Sequence, residues 1–148
     1  MRVKAFPSLV PAPGIAASLA SVPYDVINTE EARALAEGLP NSFLRVERAE
    51  LELPADVDPY SEEVYAHARR NFEKFQQEGI FVREPEPCIY LYRQIMNGRS
   101  QTGITLAFHI EDYENDIIKK HEKTRKVEED DRTRLTDVLS ANTGPVFL

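Results

Sequence analysis

The chain has 148 residues, of which 42% are hydrophobic, and its 18 Lys and Arg against 25 Asp and Glu give a formal net charge of −7. A chain of this length can bury roughly two-thirds of its unfolded surface, so it needs neither disulfides nor structural zinc to fold. The single cysteine, Cys88, excludes an intramolecular disulfide and a cysteine zinc cluster, and it favours a reducing, cytoplasmic location. The acidic balance argues against nucleic acid as a partner, because clustered Lys and Arg supply affinity for phosphate backbones. The chain has no run approaching the ~18 apolar residues of a membrane span.

We expect residues 1–148 to form a single domain that is the N-terminal fragment of a longer protein. Prolines 7, 11 and 13 interrupt the apolar stretch that follows Arg2 and Lys4, so a secretory signal is not expected. The segment 143–148 has the pattern of a turn that leads into a buried strand, whereas domains usually end in polar residues. We therefore expect the C-terminal remainder of a full-length protein as one partner, and a second copy of the chain as another.

Short strands are predicted near 24–27, 43–46 and 145–148, with a helix after the first of them that has Asn28 or Thr29 as its N-cap. The strongest helix signal runs from about Asp58 to Glu78, and Gly79 suits the left-handed residue that ends it. The apolar stripe of this helix consists of Tyr60, Val64, Ala68, Phe72 and Phe75.

The clearest strand signals, 89–95 and 102–110, are joined through Asn97-Gly98, the dipeptide typical of a type I′ hairpin turn. A two-residue loop places Tyr90 opposite Thr105, and we expect the face of Ile89, Leu91, Ile104 and Leu106 to lie in the core. The opposite face carries the pocket-lining candidates Tyr90, Tyr92 and His109. An antiparallel sheet commonly has one solvated face, so a solvated or helix-covered surface is the favoured alternative to a pocket.

A last helix is predicted over 127–141, with two acid–base pairs four residues apart, Glu128–Arg132 and Asp130–Arg134, on its exposed side. Its acidic start, 128–131, is explained by the helix dipole, although the same carboxylates could hold a hydrated magnesium ion. Together these elements predict an α+β fold, with mixed α/β as the alternative. The hairpin 89–110 is expected at the centre of a small sheet that has helices mainly on one face.

The segment from Lys119 to Arg125 is the strongest candidate for chemistry, because it concentrates four cations beside His121, Glu122 and Thr124. Its cations, Lys120 among them, would neutralise a phosphate or carboxylate. His121 would transfer a proton near neutral pH, and Glu122 would orient it or bind a metal. A solvated loop of mixed charge is the alternative and is slightly favoured by the residues alone. No dedicated metal site is predicted.

Five motifs together resemble the N-terminal part of a bacterial and archaeal family known as domain of unknown function one thousand and fifteen. The similarity covers essentially the whole chain. The motifs are Pro23-Tyr24-Asp25-Val26-Ile27, Asn41-Ser42-Phe43-Leu44-Arg45-Val46, Leu91-Tyr92-Arg93-Gln94, Ile118 to Arg125 followed by Glu129-Asp130-Asp131-Arg132, and Asn142-Thr143-Gly144-Pro145-Val146-Phe147.

This family in turn resembles the ParB and sulfiredoxin-like group, some of whose members bind nucleotides, through an Asp-Gly-His-His-Arg-Tyr type segment that this chain lacks. The resemblance implies an enzyme that acts on a phosphorylated small molecule or nucleotide, with a magnesium ion bound to the nucleotide as the possible cofactor. By this likeness His121, Glu122 and Asp25 are the catalytic candidates, and the anion-binding candidates are Lys119, Lys120, Thr124 and Arg125. The alternative is a non-catalytic scaffold or oligomerisation domain.

Overall fold

A computed structural model describes residues 1–119 and 125–144. The strands are β1 (Val3–Lys4), β2 (Leu9–Pro11), β3 (Phe81–Arg83), β4 (Tyr90–Met96), β5 (Arg99–Thr105) and β6 (Ala107–Phe108). The α-helices are α1 (Ala16–Leu19), α2 (Thr29–Ala36), α3 (Leu44–Glu47), α4 (Glu62–Gln77), α5 (Ile110–Glu114) and α6 (Lys126–Leu139), and 3-10 turns lie at Tyr24–Val26 and Ala49–Glu52. Within the described residues the strands form three pairs, β1 with β6, β2 with β3, and β4 with β5. Helices beside small antiparallel sheets confirm the α+β class.

The chain divides into two compact units. The helical unit comprises residues 11–82 and 125–143, and the strand unit comprises residues 1–10, 83–119 and 144. No helix of the described residues is long and apolar enough to cross a membrane.

Helix α4 forms the centre of the helical unit. It begins after Ser61 and ends at Gln77, and Gly79 adopts a φ of +70°, the left-handed conformation expected after its C-terminus. The amide of Ile80 then donates to the carbonyl of Phe75 over 2.9 Å. The predicted stripe is confirmed by four buried side chains, those of Val64, Ala68, Phe72 and Phe75.

The prediction that Tyr60 belongs to this buried stripe is wrong, because its side chain is 51% exposed. Helix α4 starts at Glu62, four residues after the predicted start at Asp58. Tyr60 therefore lies before the helix and does not follow its 3.6-residue repeat. Tyr65 is buried in its place, and it contacts α6.

The predicted strands at 24–27 and 43–46 are also wrong, because residues 24–26 form a 3-10 turn and Leu44–Glu47 form α3. A short apolar run between turn residues does not distinguish a strand from a buried helical turn. Arg45 favours the helical form here, since its guanidinium donates to the carbonyls of Ala36 and Leu39 at the end of α2. The predicted strand at 145–148 lies outside the described residues.

The N-cap of α2 is Asn28, one of the two predicted candidates, and Thr29 is the first residue of the helix. Its side chain accepts a hydrogen bond from the amide of Glu31 over 3.0 Å, and the Glu31 carboxylate accepts one from the amide of Asn28 over 2.8 Å. This reciprocal capping box satisfies two amides that the first turn of a helix leaves without partners.

Helix α6 confirms a second predicted helix, and Leu135 and Leu139 are buried along it. The predicted pairs within this helix are wrong. Arg132 contacts Asp131 and Glu47 instead of Glu128, and Arg134 pairs with Glu62 instead of Asp130. Tertiary partners from α3 and α4 are available to these arginines, and sequence spacing cannot show them.

The hairpin of the strand unit is confirmed in register, with Tyr90 opposite Thr105 and positive φ angles of 51° and 76° at Asn97 and Gly98. Its predicted core face is wrong, because Leu91 is 75% exposed and Ile104 is 63% exposed. The two-residue loop predicted the register of the strands, but the alternation of apolar and polar residues did not show whether anything covers the apolar face.

Candidate functional site

The helical unit contains a cleft of about 230 Å³ whose lining is rich in tyrosines and charged side chains. The lining includes five carboxylates and three guanidinium groups, so negative charge is in excess there. The charged residues are Asp25, Glu47, Glu50, Glu128, Asp131, Arg48, Arg125 and Arg132, and the tyrosines are Tyr24, Tyr60 and Tyr65.

Arg48 positions the segment that carries Tyr24 and Asp25. Its Nη1 donates to the carbonyls of Tyr24 and Ile27 over 2.9 and 2.7 Å. Its Nε donates to the buried Glu50 carboxylate over 2.6 Å. Because these contacts occupy the guanidinium, Arg48 holds the wall of the cleft together.

Asp131 and Arg132 of α6 form a second network in the same wall. The Tyr65 hydroxyl donates to Asp131 Oδ1 over 2.7 Å, and Arg132 Nε donates to Asp131 Oδ2 over 2.9 Å. The Arg132 guanidinium carbon lies 3.8 Å from the centre of the Tyr24 ring, and Nη1 reaches Glu47 Oε2 over 3.3 Å. One guanidinium thus joins α6 to α3 and to the 3-10 turn at Tyr24.

The environment of Tyr65 and Tyr24 keeps both phenols protonated. Burial raises the pKa of Tyr65 well above its ordinary value, and the hydrogen bond to the Asp131 carboxylate raises it further. Burial also raises the pKa of Tyr24, although the Arg132 charge acts in the opposite direction. At neutral pH these rings therefore provide aromatic surface and hydrogen-bond donors.

Two carboxylates of the lining are incompletely satisfied. Glu47 Oε1 and Glu128 Oε2 are closed to solvent and have no hydrogen-bond partner among the residues the structure describes. The Glu47 side chain is only 10% exposed. Sequence reasoning missed Glu47 as a site residue, because its contact with Arg132 of α6 depends on tertiary packing.

Asp25 and Arg125 are the two sequence-predicted site residues that this cleft brings together. Asp25 lies in the 3-10 turn at Tyr24–Val26, and Arg125 is the N-cap residue of α6. The Arg125 side chain is 81% exposed and its Nη2 lies 2.5 Å from Glu128 Oε1. The catalytic role of Asp25 and the anion-binding role of Arg125 stay predictions.

Four other candidates, Lys120, His121, Glu122 and Thr124, lie outside the described residues. Lys119 is described and exposed, and it belongs to the strand unit.

The predicted pocket-lining residues Tyr90, Tyr92 and His109 also belong to the strand unit. The Tyr90 hydroxyl accepts from the amide of Ser8 over 2.8 Å and donates to the carbonyl of Phe6 over 3.1 Å. His109 Nδ1 accepts from the amide of Glu111 at the start of α5. Tyr90 and His109 therefore have structural contacts, while a pocket-lining role for the three residues stays a prediction.

Among residues 1–119 and 125–144, no three His, Cys, Asp or Glu side chains are grouped so that they could hold a metal ion. A magnesium ion that accompanies a nucleotide would need ligands from the nucleotide itself, since magnesium commonly binds through phosphates with one or two carboxylates. Of the carboxylates that the sequence suggested for catalysis or magnesium, Asp25, Glu128 and Asp131 line the cleft.

Comparison with known proteins gives one match. A family model described as "Protein of unknown function (DUF1015)" matches residues 3–148. Searches of curated proteins and of solved structures found no match. The match extends over essentially the whole chain, and the chain therefore belongs to the DUF1015 family.

Proposed function

We propose that the helical unit binds a phosphorylated small molecule or a nucleotide and forms one wall of an enzyme active site. This proposal rests on one observation, that Asp25 and Arg125 line the same cleft. These residues are distant in the sequence and were selected by different motifs, so their shared cleft supports a common role.

Arg125 is suited to the phosphate. Most of its side chain is exposed, and its partner Glu128 lies three residues along the same helix. Because the Arg125 end of the pair is exposed to solvent, the pair contributes little stability, and the guanidinium can turn to an incoming phosphate at small cost. Asp25 would accept a proton from the ligand or hold the hydrated magnesium of a nucleotide.

The sequence also predicts His121 and Glu122 as the acid–base pair and Lys119, Lys120 and Thr124 as phosphate contacts. The cleft does not carry these predictions, because Lys119 belongs to the strand unit and the other four residues lie outside the described part of the chain. We place this reaction in the cytoplasm, on the ground of the single cysteine. A small ligand is preferred to nucleic acid, because a chain of net charge −7 repels a long phosphate backbone.

The test is a thermal-shift and titration screen of the full chain with nucleotides and sugar phosphates, with and without magnesium. A ligand at 100 times its dissociation constant stabilises the chain by about 2.7 kcal/mol. Arg125→Gln should then weaken binding of the best ligand about tenfold, as expected for the loss of a charged hydrogen bond.

Arg69→Gln is the matched control, since Arg69 also pairs with a glutamate of its own helix, Glu73, and does not line the cleft. Absence of any ligand-induced shift would contradict the proposal. Equal weakening by the Arg125 and Arg69 variants would contradict it too, because it would show a general effect of surface charge.

A scaffold or oligomerisation role is the second candidate, and the exposed apolar face of the hairpin favours it. Leu91, Ile95 and Ile104 are 75%, 71% and 63% exposed. If a second copy covers this face, sedimentation should show a dimer that Leu91→Lys dissociates. A chain that sediments as a monomer at all accessible concentrations would exclude self-association through the hairpin.

A further inference from the structure

The charge of the cleft differs from what a phosphate alone would require. Two of its three guanidinium groups, those of Arg48 and Arg132, already make hydrogen bonds within the wall. Arg125 is the third, and its side chain is mostly exposed. The remainder of the lining has an excess of carboxylates, so it attracts positive charge and repels a second anion.

Glu47 and Glu128 independently indicate that the cleft binds a group with hydrogen-bond donors. Interiors rarely leave a buried polar oxygen without a hydrogen-bond partner, because such an oxygen loses its hydration and gains nothing in return. Both residues line the same cleft, and each has one closed, unpartnered carboxylate oxygen. Both oxygens are closed to solvent in this conformation, so a donor reaches them only when the carboxylates turn toward the cleft.

A small rotation would let Glu47 meet a ligand. Its hydrogen bond from Arg132 engages only Oε2 and is long, at 3.3 Å, so it does not hold Oε1 in place. The terminal torsion of a glutamate is broad, so the carboxylate can turn without leaving its rotamer. The Glu47 side chain is nine-tenths buried, which strengthens its attraction to a cation that enters.

From these observations we propose that the cleft binds an organic cation, an alkylammonium or guanidinium group, between Glu47 and Glu128. The proposal rests on the proposed function, because this cation is a second group on the ligand whose phosphate meets Arg125. An N–H cation supplies the donors that the two oxygens lack. A metal ion fits less well, since no three candidate ligands are grouped to hold one in the described residues. The expected ligand is thus a phosphorylated amine, or a nucleotide that binds together with an alkylammonium or guanidinium compound.

The test uses four small probes with the full chain, two that carry a phosphate group and two that lack it. Phosphoethanolamine carries both charges, ethanolamine only the cation, ethyl phosphate only the anion, and ethylene glycol neither. Binding is followed by amide chemical shifts in a titration. We expect phosphoethanolamine to bind best, ethanolamine and ethyl phosphate to bind more weakly, and ethylene glycol to leave the cleft unchanged.

The two proposals fail differently in this experiment. If ethyl phosphate binds at the cleft while ethanolamine behaves like ethylene glycol, the cation site is overturned and the phosphate site stands. If ethanolamine binds while ethyl phosphate behaves like ethylene glycol, the phosphate site is overturned and the cation subsite stands on its own.

Variants assign the cation to the two carboxylates. Glu47→Gln and Glu128→Gln should each weaken ethanolamine binding about tenfold, because each keeps the shape of the side chain and removes its charge. Glu73→Gln is the control, a helical glutamate outside the cleft, and should bind ethanolamine as the unaltered chain does. If Glu47→Gln does not fold, Glu128→Gln still decides. Unchanged ethanolamine binding in the folded variants overturns the proposal.

Discussion

Different interactions stabilise the interior of each of the two units. In the helical unit the apolar side chains of α2, α3, α4 and α6 are buried against one another. In the strand unit Ile118 is the one buried apolar side chain among the described residues. Its strand pairs are accompanied instead by Arg2, which binds the buried Asp112, and by Tyr90, which binds the backbone near Phe6. Apolar burial should therefore set the stability of the helical unit, and polar contacts that of the strand unit.

The largest predicted effect is at Leu44, which is 2% exposed and packs with Ala32, Ala36 and Leu51. Leu44→Ala should lower the free energy of unfolding by about 2–5 kcal/mol, because it leaves a cavity in the core of the helical unit. Leu91→Ala, on the exposed hairpin, should change it by less than about 0.5 kcal/mol. Denaturant unfolding of both variants measures the difference.

The Leu44 and Leu91 comparison also separates two interpretations of the sequence. Leu91 was predicted to lie in the core, and Leu44 was assigned to a strand. If Leu91→Ala proved as destabilising as Leu44→Ala, the hairpin would bury its apolar face in solution, and the contrast between the units would be lost.

A selective loss is expected at Asp112, which is 1% exposed and accepts from Arg2 Nε over 3.0 Å and Nη2 over 2.7 Å. Asp112→Asn removes the charge that binds the Arg2 guanidinium, so amide exchange should accelerate at the β1–β6 pair. Exchange in α4 should stay unchanged. Glu111→Gln is the control, because Glu111 also pairs with Arg2 but is exposed. Equal acceleration in both variants would show that burial of Asp112 is unimportant.

The same carboxylate gives the strand unit a dependence on pH. Hydrogen bonds from the side chain and amide of Arg2 lower the pKa of Asp112 below its ordinary value. The folded state thus binds fewer protons than the unfolded state near pH 4. The ionised Asp112 carboxylate therefore stabilises the folded state at pH values above its ordinary pKa. This stabilisation is lost as the pH falls through the lowered pKa of the folded state. In α4 and its neighbours, burial raises the pKa of Glu52, but hydrogen bonds from Asn71, His67 and Arg45 outweigh it and lower the pKa. Acid should lower the stability of both units. Asp112→Asn should remove the pH dependence of the strand unit and leave that of the helical unit unchanged.

Much of the fold was predictable where local chemistry decides the conformation. Asn28 and Glu31 form their capping box, Gly79 ends α4, and Asn97-Gly98 makes the hairpin turn, because each effect acts within a few residues. The helical form of 44–47 was not predictable in the same way. Its apolar residues fit either structure, and the deciding contacts of Arg45 come from the end of another helix.

The candidate site was predictable to a smaller extent. Asp25 and Arg125 were identified through family motifs, and both line the cleft. Glu47 and Tyr65 were missed because they acquire their importance from α6, which lies far away in the sequence. A carboxylate becomes notable when burial leaves one of its oxygens without a partner, and no linear pattern encodes that condition.

A moderate effect is expected at the start of α2, where Asn28 caps the helix. Asn28→Ala should cost about 1 kcal/mol of unfolding free energy, because the amide of Glu31 loses its acceptor. Asn28→Asp keeps an acceptor oxygen and should be close to neutral. The comparison sharpens the contrast between the units, since a polar contact in the helical unit should matter less than the core leucine. A loss at Asn28→Ala as large as that at Leu44→Ala would contradict this ranking.

The smallest effect concerns surface ion pairs of the helical unit. Arg69 and Glu73 lie four residues apart and approach to 2.7 Å, and a double-mutant cycle should give a coupling of about 0.3–0.5 kcal/mol. The pair predicted from sequence, Asp130 with Arg134, should give a coupling near zero, because Arg134 contacts Glu62 instead. Urea unfolding of the single and double alanine variants measures both couplings. A larger coupling for Asp130 and Arg134 than for Arg69 and Glu73 would show that helix spacing, and not tertiary contact, decides how these arginines pair.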